Sequence, residues 1–255
     1  MFSNMPIQKI EEYVRNASIT EELLEQLRKD ERKGVQRLLA KVEKEQEEQK
    51  RLIEQYEQMS RYETAQKMKG KKFIAGVDEV GRGSLAGSVV AAAVILPDEP
   101  ILGLYDSKQV NKKKRMELFE RIHEKAIVGI GTASPHEIDR HNIYIATKMA
   151  MVKAIKACSP NIDHVLVDAM QLPISISQTS IIEGDKKSVS IAAASIIAKV
   201  TRDRMMAELA QSFPQYGFDR NVGYGTKEHL YALKNYGATS EHRLSFSPVA
   251  DTMKG

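Results

Sequence analysis

Two adjacent carboxylates, Asp78 and Glu79, follow the apolar residues 73–77 and precede a glycine-rich turn at residues 81–87. Neighbouring side chains of a strand point to opposite faces, so one carboxylate would face the core unless the strand ends or bends here. We predict that the glycines supply this bend. Carboxylate oxygens are the ligands that Mg²⁺ and Mn²⁺ prefer, so the pair indicates a hard-metal site.

Two further carboxylates stand beside predicted strands. Asp168 follows the apolar residues 165–167, and Asp185 follows Glu183 and Gly184 just before a helical pattern. Carboxylates that converge at one edge of a sheet cannot all stay ionised without cations, and two divalent ions about 3.5–4 Å apart are usual in phosphoryl transfer. A single acidic residue is more often a cap or a turn residue than a ligand. Spacing alone therefore leaves both interpretations open, a metal phosphoesterase site or separate turns.

The elements that must position these carboxylates indicate an α/β domain over residues 71–255. The apolar runs of strand length are residues 73–77, 89–96, 126–132 and 164–167, with a fifth beginning at 181–182. Ser134 and Glu137 are typical of a capping box that opens a helix. Residues 188–209 and 226–235 have helical spacing. The apolar stripe of the longer helix is predicted to be Ile197, Thr201, Met205 and Leu209. The order of elements predicts a mixed sheet flanked by helices.

Residues 1–70 are predicted to be a helical, highly charged N-terminal extension. Of the first 72 residues 30 are charged, a larger share than the 28% of the whole chain. Ser18 followed by Glu21 predicts a helix start. The polar residues 43–50 argue against a regular coiled coil and indicate a solvated or partly disordered helix. We expect the extension either to touch the substrate or the catalytic core, or to be an independent solvated helix.

Composition narrows the classes of function. The net charge of +4 suits a nucleic-acid partner without requiring one. No apolar stretch approaches the ~20 residues of a membrane span, so no membrane partner is expected. The single cysteine, Cys158, leaves no disulfide within the chain and favours a cytoplasmic setting. No His/Cys grouping indicates zinc. His229 is expected to be a surface or structural residue, and neither it nor His242 is expected to be a general base.

A series of motifs extends over about residues 72–250. They are Gly76-Val77-Asp78-Glu79-Val80-Gly81-Arg82-Gly83, then Asp106-Ser107-Lys108, then Val167-Asp168-Ala169, then Glu183-Gly184-Asp185 with residues 191–203, and finally Gly223-Tyr224-Gly225-Thr226 with His242-Arg243. In this order they resemble the motifs of bacterial ribonuclease HII, a type 2 ribonuclease H family. Five motifs in the right order are far more specific than any one of them.

The resemblance implies a ribonuclease H-like fold and a metal-dependent endoribonuclease. Its four-carboxylate site would be Asp78, Glu79, Asp168 and Asp185, holding two Mg²⁺ or Mn²⁺ ions. The implied substrates are RNA–DNA hybrids and duplex DNA with single embedded ribonucleotides. Cleavage on the 5′ side of the ribonucleotide would leave a 3′-hydroxyl and a 5′-phosphate. Such an enzyme would serve DNA repair and primer removal in replication, and we expect a monomer.

The resemblance also implies substrate contacts in three loops. In the first loop the contacting residues would be Gly81, Arg82 and Gly83. They would approach the 2′-hydroxyl that distinguishes RNA from DNA, because glycine places no β-carbon in the way. Tyr224 would pack on the neighbouring deoxyribose, whereas its position between two glycines, taken without the resemblance, favours a structural turn tyrosine. Ser107 and Lys108 would hold phosphates.

Two alternative functions would require other sequence features. A ribonuclease HIII-like enzyme would prefer longer hybrids, but Arg82 and the helical character of residues 1–70 disfavour it. A non-catalytic protein that binds hybrids would carry a degenerate site, whereas all four carboxylates are intact here.

Overall fold

The structure is a computed structural model, and it consists of two compact units, Met1–Gln55 and Tyr56–Gly255. The residues that it describes are 2, 5–16, 19–105, 107, 110–159 and 161–252. The first unit contains α1 (Ile7–Asn16), α2 (Glu21–Arg28) and most of α3 (Lys33–Met59). The polar residues 43–50 lie within α3, so this stretch is a solvated helix.

The helices of the first unit bury a small apolar core of their own. Ile10, Leu27 and Val35 are fully buried in it. Ser18, which was predicted to cap α2, lies outside the described residues. Thr20 caps that helix, because its Oγ1 accepts the backbone N–H of Leu23 at 3.3 Å.

The second unit is built on a mixed five-stranded sheet, as the sequence predicted. The strands are β1 (Ile74–Val80), β2 (Val89–Ile95), β3 (Ile127–Ala133), β4 (His164–Asp168) and β5 (Gln178–Ile181). Their order in the sheet is β3-β2-β1-β4-β5. β1 pairs with β2, and β2 with β3, in antiparallel fashion; β1 pairs with β4, and β4 with β5, in parallel fashion.

Helices pack on both faces of this sheet. The helices of the second unit are α4 (Arg61–Lys67), α5 (Lys112–Lys125), α6 (Pro135–His141), α7 (Ile143–Cys158), α8 (Val189–Ser212), α9 (Phe218–Asn221), α10 (Lys227–Tyr236) and α11 (Ser247–Thr252), with 3-10 helices at Gly184–Lys186 and Pro214–Tyr216. One core lies between the sheet and α7, the other between the sheet and α5 with α8. No helix among the described residues is long and apolar enough to cross a membrane.

Close packing of α8 on β1 depends on a glycine. A β-carbon at Gly76 would lie 2.1 Å from the backbone carbon of Ser190, a distance at which the backbone would have to move. The small residues of α8 from 192 to 198 are buried, as predicted for close helix–sheet packing. This approach brings α8 beside the C-terminal half of β1, where Asp78 lies.

Three local predictions have definite outcomes. The capping box is confirmed: Ser134 Oγ accepts the N–H of Glu137 at 3.2 Å, and the Glu137 carboxylate accepts the N–H of Ser134 at 2.8 Å. The glycines do supply a turn, but it begins one residue beyond the carboxylate pair: β1 ends at Val80, and Gly81 follows with a φ of +91°. The fifth strand was predicted to begin at residue 181 but ends there. Residues 178–180 are polar and form an edge strand, which apolar runs do not reveal.

Glu63 on α4 is a buried carboxylate at the N-terminus of α8. Its Oε1 accepts hydrogen bonds from Ser188 Oγ, from the backbone N–H of Ser190 at 3.0 Å and from Ser190 Oγ at 2.6 Å. A negative charge at this end of a helix is also favoured by the helix dipole. The residue belongs to the second unit although it precedes residue 70 in sequence.

We therefore expect Glu63→Ala to destabilise the second unit by about 2–4 kcal/mol, because three buried donors would lose a charged acceptor. Chemical unfolding monitored by circular dichroism measures this, with Glu57→Ala on the exposed side of α3 as the control. By the same reasoning, a chain lacking residues 1–70 should melt at a lower temperature than one lacking residues 1–55. Equal melting temperatures for the two truncations would contradict the role given to Glu63.

Candidate active site

Three carboxylates converge near the C-terminal ends of two adjacent parallel strands. Asp78 and Glu79 lie on β1, and Asp168 is the last residue of β4. One oxygen from each of these side chains lies within 4.8 Å of the others. Asp78 is buried, and its Oδ1 accepts the backbone N–H of Glu79 at 2.7 Å. The register of β1 with β4 thus produces the convergence that the sequence predicted for these three residues.

The surroundings of this cluster disfavour the ionised form of its carboxyl groups. Burial, followed by the neighbouring charges of Glu79 and Asp168, raises the pKa of Asp78 well above its usual range. Burial also raises the pKa of Glu79, although Arg82 opposes this effect. Arg82 Nη1 lies 3.3 Å from Glu79 Oε1 and forms an ion pair with it. The cluster therefore holds more negative charge than its surroundings neutralise.

A divalent cation fits this donor set. The ligands are carboxylate oxygens, which Mg²⁺ and Mn²⁺ prefer. Glu79 Oε2 is buried without a hydrogen-bond partner, which is costly unless a ligand satisfies it. A cation would also relieve the repulsion that raises the pKa of Asp78.

Asp185 lies beside this cluster but outside the group of three. It is buried in the 3-10 helix Gly184–Lys186. The backbone N–H of Gly184 donates to Asp168 Oδ1 at 2.7 Å, so the segment that carries Asp185 is attached to the end of β4. A β-carbon at Gly184 would come within 3.1 Å of that same oxygen.

A buried pair of serines adjoins Asp78. Ser195 on α8 forms a hydrogen bond with the Asp78 carboxylate, and Ser195 Oγ lies 2.9 Å from Ser107 Oγ. The Ser107 hydroxyl therefore contacts the inner side of the site, and its role toward a phosphate stays a prediction. Lys108 lies outside the described residues.

The loop between β1 and β2 carries the first set of predicted substrate contacts. Gly81 has a φ of +91°, a conformation that residues with a β-carbon rarely adopt. A β-carbon there would also lie 2.2 Å from Arg202 Nε. A β-carbon at Gly83 would lie 3.8 Å from Tyr224 Cε1, an ordinary contact distance, so there is open space between Gly83 and the Tyr224 ring. The structure thus brings Gly81, Arg82 and Gly83 next to both Glu79 and Tyr224.

Two buried arginines that the sequence did not single out as functional hold this loop by its carbonyl oxygens. Arg202 on α8 donates to the carbonyls of Ala86, Ser88 and Val222. Arg243 donates to those of Gly81, Arg82 and Gly87, at 2.6–3.1 Å. Among the residues described, neither arginine has a carboxylate within ion-pair distance. Peptide dipoles therefore solvate both charges.

Tyr224 lies in a second loop that is joined to the first. Its side chain is 41% exposed, as expected for a residue that contacts a ligand. The backbone N–H of Leu85 donates to the carbonyl of Gly223 at 2.8 Å. Gly223 has a φ of +82°, and a β-carbon there would stand 2.5 Å from the carbonyl oxygen of Ala86. The two loops form one surface beside the carboxylates.

The fold and this site define a metal-dependent endoribonuclease of the ribonuclease H type. The same fold occurs in the crystal structure of the ribonuclease H2 from Pyrococcus horikoshii OT3, with a TM-score of 0.62 and 25% sequence identity. That likeness covers 72% of this chain and 98% of the Pyrococcus chain.

This chain belongs to the ribonuclease HII family. The family model "Ribonuclease HII" matches residues 75–249, and "Ribonuclease HII N-terminal domain" matches residues 6–67. Among its relatives, the ribonuclease HII of Bacillus cytotoxicus is 54% identical over 230 residues, 89% of either chain. That of Shouchella clausii is 51% identical over 253 residues, 98% of either chain. The chain is thus a nuclease that acts on nucleic acid, and its acidic cluster indicates a divalent metal.

Proposed function

We propose that this chain hydrolyses the RNA strand of RNA–DNA hybrids and cuts duplex DNA on the 5′ side of a single embedded ribonucleotide. The products would carry a 3′-hydroxyl and a 5′-phosphate, and the enzyme would act as a monomer. In a cell such cleavage would initiate ribonucleotide removal from DNA and contribute to primer removal. The observation that carries this proposal is a carboxylate cluster directly beside a glycine loop whose backbone a sugar can approach.

Asp78, Glu79, Asp168 and Asp185 would hold two divalent cations, Mg²⁺ or Mn²⁺. When bound, such ions neutralise clustered carboxylates and supply Lewis acidity for hydrolysis of a phosphodiester. The chain contributes the fixed geometry: two paired strands hold three of the carboxylates, and the Gly184 N–H orients Asp168. Burial of Asp78 excludes water from competing for that carboxylate.

The two joined loops would recognise the ribose. The segment Gly81–Gly83 presents backbone with little side-chain bulk, and a 2′-hydroxyl is both a donor and an acceptor. Tyr224 faces Gly83 across a gap that leaves its ring exposed, so the ring can pack on a sugar. Arg82 stands at the rim, where its charge adds attraction for a phosphate.

Metal removal should abolish cleavage, and either Mg²⁺ or Mn²⁺ should restore it. The substrate is an end-labelled DNA duplex with one ribonucleotide, incubated with EDTA and then with each metal in excess. A single cut 5′ to the ribonucleotide is expected, whereas the matched all-DNA duplex should stay intact. The metals should also raise the melting temperature of the protein, because binding to the folded state stabilises it.

Other outcomes would support the alternatives. Robust cleavage of a long RNA–DNA hybrid without cleavage at a single ribonucleotide would favour a ribonuclease HIII-like preference. Metal-independent binding of both substrates with no cleavage of either would contradict the catalytic proposal.

A further inference from the structure

Two histidines lie buried beneath the loop that carries Tyr224. His229 on α10 is 0% exposed and His242 is 1% exposed. Their Nε2 atoms are 3.0 Å apart, and the rings of Tyr216 and Phe218 surround them. The carboxylate cluster does not use either imidazole, so their burial as a contacting pair calls for another role.

The hydrogen bonds at the two ends of the pair fix where each proton resides. His242 Nδ1 accepts the backbone N–H of Thr239 at 3.0 Å, with the Thr239 hydroxyl oxygen 2.9 Å from the same nitrogen, so this nitrogen is an acceptor and the ring proton is on Nε2. His229 Nδ1 lies 2.9 Å from the carbonyl oxygen of Tyr224, which can only accept, so His229 carries its proton on Nδ1. The Nε2–Nε2 contact is then a bond from His242 to His229.

The result is a chain of hydrogen bonds that all donate in the same direction, with a single arrangement of protons; we call this chain the relay. It runs from the Thr239 N–H through His242 and His229 to the Tyr224 carbonyl. A second proton on His229 would bring two N–H groups face to face between the rings, and a second proton on His242 would face the N–H of Thr239. Consistent with this, burial and the neighbouring His229 lower the pKa of His242 to about 4, and burial also lowers the pKa of His229.

The relay ends on the residue that faces the glycine loop. The Tyr224 carbonyl accepts from His229 and also from the N–H of Thr226 at 2.8 Å, so both acceptor positions are used. The preceding residue, Gly223, is held by Leu85. The peptide that orients the Tyr224 ring is therefore fixed from both sides, while the ring itself stays exposed opposite Gly83.

We propose that His229 and His242 are positioning residues that set the Tyr224 ring for contact with the sugar of the substrate. The inference rests on the proposed function, in which Tyr224 contacts substrate. His229 acts directly through the Tyr224 carbonyl. His242 acts by donating to His229 Nε2, which gives that buried nitrogen a hydrogen-bond partner and holds the plane of the His229 ring.

The kinetic test compares two substitutions of His229 that differ in one hydrogen bond. His229→Met removes the donor to Tyr224 and should raise KM for the single-ribonucleotide duplex about tenfold, the effect of one lost hydrogen bond, with kcat changed less than about threefold. His229→Asn places an amide N–H near the Nδ1 position and should restore KM to within about threefold. His164→Met is the matched control, because His164 is also buried with both ring nitrogens hydrogen-bonded but lies at the start of β4.

A double-mutant cycle with Tyr224→Ala separates this inference from the proposed function. If Tyr224 contacts substrate, Tyr224→Ala alone raises KM, and adding His229→Met raises it no further. No effect of Tyr224→Ala would overturn the role of Tyr224 itself. A full effect of Tyr224→Ala together with an independent, additive effect of His229→Met would leave the function standing and overturn the positioning role.

Nitrogen-15 NMR of histidine-labelled protein tests the relay directly in the folded protein. At pH 7 the wild type should show His229 as the neutral Nδ1–H tautomer and His242 as the neutral Nε2–H tautomer. His242→Met should shift the signal of the unprotonated His229 Nε2, because this nitrogen loses its hydrogen-bond donor, while the proton stays on Nδ1. A charged ring, the opposite tautomer in the wild type, or an unchanged His229 in His242→Met would each overturn the relay.

Discussion

Asp78→Asn is expected to abolish metal-dependent cleavage while raising the stability of the metal-free protein. Activity should fall about 10³-fold or more, the order lost when a preorganised electrostatic group is removed. Asparagine keeps an oxygen that can accept from the Glu79 N–H, so the backbone should not move. It removes one of three close charges, and the variant should therefore melt a few degrees above the wild type in EDTA.

The raised pKa of Asp78 also predicts how the stability difference between the wild type and Asp78→Asn changes with pH. Burial, Glu79 and Asp168 raise the pKa of Asp78 in the folded state above its value in the unfolded chain. The wild type therefore loses stability as pH rises from about 4 through the folded-state pKa, because the folded protein must release a proton that it holds more tightly. Asp78→Asn lacks this loss, so its advantage in EDTA should grow with rising pH.

Differential scanning fluorimetry from pH 4.5 to 8, in EDTA and in Mg²⁺, measures both effects. Metal should stabilise the wild type more than Asp78→Asn, since the variant lacks one ligand. Asp98→Asn is the control, because Asp98 is exposed and paired with Lys67 away from the cluster. An Asp78→Asn protein that cleaves normally, or that melts below the wild type in EDTA at pH 8, would contradict the assignment.

Sequence patterns predicted the parts of this site that depend on local features. An apolar run ending on a carboxylate identifies β1 and β4 separately, and the five ordered motifs identify the family. That β1 lies between β2 and β4, with Gly76 opposite Leu166, follows from pairing between residues distant in sequence. The predicted glycine turn begins at Gly81, one residue later than the carboxylate pair, because pairing with β2 extends the strand to Val80.

The apolar stripe predicted for α8 shows a second limit of prediction from sequence patterns. Thr201, Met205 and Leu209 were expected to face the core, yet they are only half-buried, while Arg202 and Met206 are buried. Arginine is almost never predicted to be interior, since its burial requires acceptors. Here the acceptors are carbonyls of loops far away in sequence, so a pattern within the helix cannot reveal them. The only sequence signal that α8 is buried on several sides was that the first half of the helix is apolar all round.

Arg243→Lys is expected to disrupt the glycine loop although the charge is formally kept. The planar guanidinium donates from three nitrogens to the carbonyls of Gly81, Arg82 and Gly87. A lysine ammonium is a compact point charge and cannot span these carbonyls with the same fork. Burial and the neighbouring Arg202 already lower the pKa of Arg243 to about 9. A lysine there would therefore be driven toward its neutral form.

The expected loss of stability is about 3–5 kcal/mol, the range for breaking a buried charged network. Cleavage of the single-ribonucleotide duplex should fall about 10²-fold in kcat/KM even well below the melting temperature, because a misplaced loop no longer positions the sugar. Chemical unfolding and initial rates at low temperature measure these two effects separately. Arg204→Lys on the exposed side of α8 is the control and should change neither.

The two effects of Arg243→Lys should not scale together, and this is what identifies a loop-positioning role. Glu63→Ala is predicted to lower stability by a similar amount, but it acts at the N-terminus of α8, where Glu63 contacts Ser190 rather than the glycine loop. At equal distance below their melting temperatures, Glu63→Ala should keep most of its kcat/KM and Arg243→Lys should not. Equal losses in both variants would mean that general destabilisation, rather than the fork of Arg243 on the loop carbonyls, accounts for the lost cleavage.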